Sequence, residues 1–419
     1  MRRDIQALFS TSFAHFSNDG VFFLFSSLIV YFSAKDVGLN ALYLGYFAVI
    51  YTFIAGVLSI PIGKISDGSD RDPELMGLGI LLLAFSILLF SLPFVSPFNS
   101  SLNLKYVLVI AGAVTLGSGQ AFYHPLGADI LRYSLKGKDS SVFLGINGAM
   151  GSVGRALIIS VAVILIGYYG AFQGLLFLSV AYFVISLLVY LSSRNIRKSE
   201  KVLENEREKE NKGSKIKKIR DFPGVLSFLL ILTLTLSLRS IFQMAVALYI
   251  FSYLNSIYLS TALSAYFLSI ALITPIIGQP IFGVITKRFG GNSTLLLAGI
   301  ISILAFIPFI FIRFPYSVAL ILFSIYAFAA FTGFPSILGF VGQKIPRELA
   351  TRANTWTWGV GNTAGGAIGI LIFALLHNYF KLSLAYSFEL MIPFLALSII
   401  LNIMVYPFSA KLQSQITSN

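Results

Sequence analysis

Residues 192–222 read SSRNIRKSEKVLENEREKENKGSKIKKIRDF, a polar, charge-dense stretch near the middle of a 419-residue chain. What surrounds it is its opposite. Apolar runs of about twenty residues or more repeat on either side, long enough to cross a hydrocarbon core. We place them near 5–33, 41–66, 74–95, 104–131, 140–167 and 170–192 before the break. After it they fall near 222–252, 259–286, 293–313, 317–344, 349–376 and 383–408. The chain is 57% hydrophobic and 11% charged, where soluble domains carry roughly 25% charged residues. The expected fold is therefore an all-α integral membrane protein of twelve transmembrane helices. Residues 1–192 form one six-helix bundle, 193–221 a charged linker, and 222–419 a second, pseudo-symmetric bundle. Ile216, Ile219 and Phe222, set between lysines, suggest a short amphipathic helix at the linker's end. The run from Ile5 is too long for a cleavable signal peptide and leads straight into further spans.

The net charge of +13 invites a nucleic-acid reading, but its placement argues for topology. With the N-terminus inside, 24 of the 30 Lys and Arg fall on one face, eleven of them between 194 and 220. The positive-inside rule then puts both termini in the cytoplasm of a multi-pass cell-membrane protein. No polyanion partner is implied. With no cysteine, disulfide and thiolate chemistry is excluded. His15, His124 and His377 have no metal-ligand spacing. There is no phosphate loop, carboxylate pair or nucleophile constellation, so no enzyme, metal or cofactor is expected.

The halves repeat a signal. GKISDGSDR, residues 63–71, follows the second span, and GVITKRFGG, residues 283–291, follows the eighth. Two repeated halves around a midplane site are the architecture of many secondary transporters. Gly63, Asp67 and Arg71 resemble the loop motif of the major facilitator superfamily, with Lys287 departing from it in the second copy. His15-Phe16-Ser17-Asn18-Asp19, Gly117 to Pro125 and Leu238-Arg239-Ser240 are similar to the fosmidomycin-resistance branch of that superfamily. Leu126 departs from the acid the branch usually has after its His-Pro pair, and Ala156-Leu157-Ile158-Ile159 stands where antiporters usually carry a Gly-Pro pair. The resemblance implies the major facilitator fold and export of small anionic or drug-like molecules against proton entry. It also implies an inner gate at Gly63, Asp67 and Arg71, with Asp129 and Arg132 at the end of the fourth span as partners.

The residues point the same way. An Asp at a helix centre in a bilayer costs about 2.5–3.5 kcal/mol on insertion scales, so Asp19 asks for a function. It lies about 21 Å along its helix, near mid-membrane. His15 precedes it by one turn, and Asn18 adjoins it. A carboxyl there can take a proton on one side and release it on the other as solvation and partners change. Arg239 and Arg155 sit at similar depth, and either can pair with Asp19 or meet a solute's carboxylate, phosphonate or phosphate. Gln243 shares Arg239's helical face. His124, one turn after Gln120 and followed by Pro125, can relay protons or simply pack. Trp358, near Asn362, can anchor at the membrane interface or wall the cavity. The glycines at 145, 148, 151, 154, 359, 361, 365, 366 and 369 let spans approach closely.

The expected activity is proton-coupled, alternating-access transport of a small organic solute, anionic or drug-like, with efflux one possibility. Proton symport of sugars or organic acids is the alternative, followed by an uncoupled uniporter and a non-transporting receptor or scaffold. The partners are the solute, protons and membrane lipid, with a monomer as the default.

Overall fold

The computed structural model describes residues 3–134, 140–198, 224–345, 353 and 355–417. The described residues are helical with no strand. The first half holds α1 (Arg3–Ser33), α2 (Ala41–Gly68), α3 (Asp72–Ser91), α4 (Leu102–Ser134), α5 (Ser140–Tyr169) and α6 (Ala171–Ser193). The second holds α7 (Val225–Tyr258), α8 (Thr261–Phe289), α9 (Gly291–Phe311), α10 (Tyr316–Ala330) and α11 (Gly333–Lys344). It closes with α12 (Gly365–Ala374) and α13 (Leu384–Thr417). Among the described residues, 11 helices are long and apolar enough to span a membrane. Their outward faces agree: Val180, Phe183, Val184, Leu187, Leu188 and Leu191 form an exposed apolar stripe along α6. Such a stripe suits lipid and not water.

Local chemistry sets the boundaries. Asn40 caps α2 by accepting from the Leu42 amide at 2.8 Å, and Ser260 caps α8 through the Leu263 amide. Gly170 and Gly290, with φ of 82° and 84°, make the sharp turns into α6 and α9 that a side chain would strain.

Two spans differ from the sequence expectation. The tenth, expected as one helix over 317–344, is two, α10 and α11, with a break at Phe331 and Thr332. Pro335 in the sequence accounts for the break, because a proline has no amide proton to give to the carbonyl four residues earlier. The eleventh is π-helical over Thr355–Ala364 and again over Leu375–Tyr379, on either side of α12.

Helices α1–α6 pack among themselves, as do α7–α13, and α5 meets α8, α1 meets α7, and α2 meets α12 across the two halves. Glycines make several of these approaches possible. Gly154 of α5 lies on the Phe16 backbone, and Gly369 of α12 on that of Ile241. After α6, residues 194–198 fold back onto the first half, where the Lys198 amide donates to Asp70 Oδ1 at 2.7 Å. The expected amphipathic helix around 216–222 lies outside the described residues.

Candidate functional site

The stretch that carries Asp19 is buried against α5. His15 and Asp19 are one turn apart on α1, and Nε2 and Oδ2 lie 3.3 Å apart. His15 Nδ1 faces two oxygens of Asn147, the backbone carbonyl at 2.8 Å and Oδ1 at 3.0 Å. A backbone carbonyl cannot donate, so Nδ1 carries the hydrogen. The Nε2–Oδ2 contact then needs one proton of its own, on the imidazole or on the carboxyl. Asn147 is fixed in turn by Tyr123 Oη, which donates to its Oδ1 at 2.6 Å, and by donating to Thr11 Oγ1 at 3.2 Å. The Tyr123 ring stacks on His15 with centroids 4.4 Å apart, and the His124 ring meets His15 edge-on at 5.9 Å.

Arg155 supplies the counter-charge, its Nη1 3.3 Å from Asp19 Oδ2. Its Nη2 donates to Ser152 Oγ at 2.9 Å, and that oxygen also accepts from Gln279 Nε2 of α8 at 2.9 Å. One polar chain thus runs from the acid in the first half to an amide in the second. Arg155 Nε, buried, has no hydrogen-bond partner, and neither has Asn18 Oδ1. Asn18 Nδ2 donates to Asp19 Oδ1 at 3.1 Å. Gly151 is what lets α5 come so near. A methyl group there would sit 2.5 Å from His15 Nε2 and 2.8 Å from Asp19 Oδ2.

The other arginine is placed elsewhere. Arg239 Nη2 donates to the Ala330 carbonyl at 2.9 Å, and Gln243 Nε2 donates to the same oxygen at 2.8 Å. Ala330 ends α10, and carbonyls of a last helical turn lack intrahelical partners and carry the negative end of the helix dipole. The structure therefore answers which arginine pairs with Asp19: it is Arg155, while Arg239 and Gln243 hold the broken tenth span.

The remaining expected positions separate. The Trp358 ring lies 5.6 Å from that of His124, which brings the two halves together there. Gln120 is half-buried on α4. The carbonyl of Asn362 accepts from Ser240 Oγ at 2.5 Å. At the far end of α4, Asp129 Oδ2 lies 3.5 Å from Lys198 Nζ, which also lies 3.6 Å from Asp72 Oδ2 and donates to the Ser66 carbonyl at 2.5 Å. The expected pairing of Arg71 with Asp129 is thus replaced. Arg71 is exposed, and the first residues of the linker bring a buried lysine to the acid instead. Gly63 faces Pro125 at ordinary contact distance. The side chains of Asp67 and Arg132 lie outside the described set.

Sequence reasoning passed over Asn147, Ser152 and Gln279. Each is a polar side chain in an apolar run, beside Gly148, Gly151 and Gly278, and that juxtaposition was the available signal.

The family model of the Major Facilitator Superfamily matches residues 11–370. No curated protein sequence matches the chain. Among solved structures it is similar to a peptide transporter POT in complex with sulfate, at 13% identity and a TM-score of 0.68, covering 97% of this chain and 95% of that one. A point mutant of that transporter, also with sulfate, aligns at 14% identity and a TM-score of 0.67, covering 97% and 94%.

Proposed function

This chain belongs to the major facilitator superfamily, and from that premise we propose that it couples proton binding at Asp19 to transport of a small organic anion. It is a multi-pass membrane transporter and not an enzyme. One observation carries the proposal: Asp19 is the carboxylate that holds Arg155.

In this reading one proton lies between His15 Nε2 and Asp19 Oδ2, which are 3.3 Å apart. A further proton, on Asp19, leaves the imidazolium and the guanidinium without their shared carboxylate charge. The environment is poor in water, where an uncompensated cation is costly. A solute carboxylate, phosphonate or phosphate then takes the place Asp19 has given up, and the unpartnered Arg155 Nε is one donor ready for it. Because proton and anion favour one another at this site, each raises the other's affinity by the same factor. That linkage favours symport. The likeness of His15 to Asp19, Gly117 to Pro125 and Leu238 to Ser240 to the fosmidomycin-resistance branch favours export against proton entry instead.

The moving bodies in this reading are residues 1–198 and 224–419, with α1, α5 and α2 rocking on α7, α8 and α12. Both termini and the loop at Gly63 to Arg71 face the cytoplasm, and Asp129, Lys198 and Asp72 brace the inner end of the first body. His124 and Trp358, 5.6 Å apart, form one wall of the solute cavity, with Gln120, Asn362 and Asn18 towards it. Arg239 and Gln243 shape the other side through Ala330. The chain works as a monomer in lipid.

The test is accumulation by proteoliposomes under an imposed pH gradient. Labelled phosphonates, carboxylates and neutral sugars are compared for the native chain, Asp19→Asn and Arg155→Ala. The expected result is anion accumulation that a protonophore collapses and that both variants lack. Accumulation of a neutral sugar that survives Arg155→Ala would sink the anionic reading. Counterflow with the proton gradient reversed separates symport from export.

A further inference from the structure

Phe331 stands at the break between α10 and α11, between the two arginines. The Arg155 guanidinium carbon lies 5.9 Å from the centroid of its ring. The Phe23 ring of α1 meets it edge-on at 5.6 Å, and that of Tyr326 at 6.1 Å. Its own amide follows the Ala330 carbonyl, which Arg239 and Gln243 hold at 2.9 and 2.8 Å. One residue of the second half therefore touches the first half's switchable cation while its backbone is fixed to α7.

We infer that Phe331 is a positioning residue that reads the protonation state of Asp19 through Arg155 and passes it to the broken tenth span. This rests on the coupling reading above. While Asp19 is ionised, the carboxylate dominates Arg155. Once Asp19 is protonated, the ring face is the electrostatic partner left to the guanidinium in a desolvated place, where cation–π attraction is strongest. The arginine then leans on Phe331, and Phe331 cannot yield without moving the Ala330 peptide. A helix broken at this point can hinge there, since no continuous ladder resists it.

The groups facing Asp19 are His15 on its own helix, Tyr123 and His124 of α4, Arg155 of α5 and Tyr182 of α6. Phe331 lies beyond Arg155, with Tyr326 and Arg239 behind it. None of these changes when Phe331 does, so an effect of the ring on pH response is separable from theirs.

The chain has no cysteine, which allows a readout needing no known substrate. Tyr168→Cys and Leu259→Cys lie in α5 and just after α7, 82% and 86% exposed. Spin labels on that pair, in the full chain in nanodiscs, report the separation of the halves as pH is varied. The native protein should change its distance distribution with pH, and Asp19→Asn should not. Phe331→Leu keeps the bulk and removes the ring face. It withdraws support from the protonated state and should move the midpoint down by about half a pH unit. Phe331→Trp offers a better face and should move it up, which keeps the test alive if the leucine variant folds poorly. A flat Asp19→Asn response with native midpoints in both Phe331 variants overturns this inference alone. A native protein without a pH response, or an Asp19→Asn variant that keeps one, overturns the coupling reading beneath it.

Discussion

Arg155 and Arg239 are both held inside apolar helices, yet by different kinds of partner. Arg155 faces a carboxylate at 3.3 Å, whose charge a proton can cancel. Arg239 faces a peptide carbonyl at the end of a helix, whose partial charge no proton in this pH range can cancel. In the proposed mechanism the first arrangement is a switch and the second a fixture. A buried cation is costly in both places, and the fold offsets that cost once with chemistry that titrates and once with chemistry that does not.

The sharpest way to break this contrast is to remove the titrating member. Asp19→Asn keeps the shape and the hydrogen-bond capacity but fixes the charge at zero. Proton-driven accumulation should fall by on the order of 100-fold or more, in the range proton-transfer groups contribute. Exchange without a gradient should persist, because Arg155 is permanently free. Equal loss in both assays would mean that Asp19 is only a structural ion pair. Arg239→Asn, by contrast, should leave the pH dependence of transport unchanged.

Next in size is the buried lysine. Lys198 and Asp72 have side chains without exposure, and Asp129 is 13% exposed. Lys198→Ala leaves two acids facing each other near the Ser66 carbonyl, and should lower stability by about 3–5 kcal/mol. A detergent-unfolding titration measures it. A loss below about 1 kcal/mol would mean that residues 194–198 only rest on the first half and do not brace it.

Arg239→Ala comes third. It removes one of two donors to the Ala330 carbonyl, with Gln243 remaining, so the loss should be about 1–3 kcal/mol, the range for a buried polar group left short of a partner. The double variant with Gln243→Leu should lose more than the sum of the singles, since the carbonyl is then left bare.

How far the sequence could have led differs along the chain. Membrane class and the placement of most spans follow from apolar run length, which a bilayer enforces with little help from tertiary contact. The break in the tenth span was legible in Thr332-Gly333-Phe334-Pro335, but an apolar run of 28 residues (317–344) outweighed it. The depth of Asp19, Arg155 and Arg239 was legible too; their pairing was not. Depth is a matter of counting residues, whereas pairing depends on which face each helix turns to its neighbours. Gly151 settles that for Arg155, because only a residue without a side chain lets α5 reach His15 and Asp19. Lys198 was hidden for another reason. It lies in a charge-rich stretch whose composition predicts solvation, and only the pit formed by Ser66, Asp72 and Asp129 sets it apart from the lysines that follow.

That last point has its own test, and the smallest expected effect. Arg197 and Lys198 are neighbours that both bind acids of the first half, but Arg197 and Glu74 are each 39% exposed in their side chains. Arg197 donates to both carboxylate oxygens, at 2.9 and 2.5 Å, so contact geometry alone would rank it above Lys198. Solvent reverses the ranking. An exposed pair gains little over its hydrated parts and is screened by salt, whereas the lysine and Asp72 are shut off from water and Asp129 nearly so. Glu74→Gln should therefore change stability by less than about 1 kcal/mol, and by less still at 0.5 M salt. A larger loss, insensitive to salt, would show that residues 194–198 are held as one unit and that the buried lysine is not its main anchor.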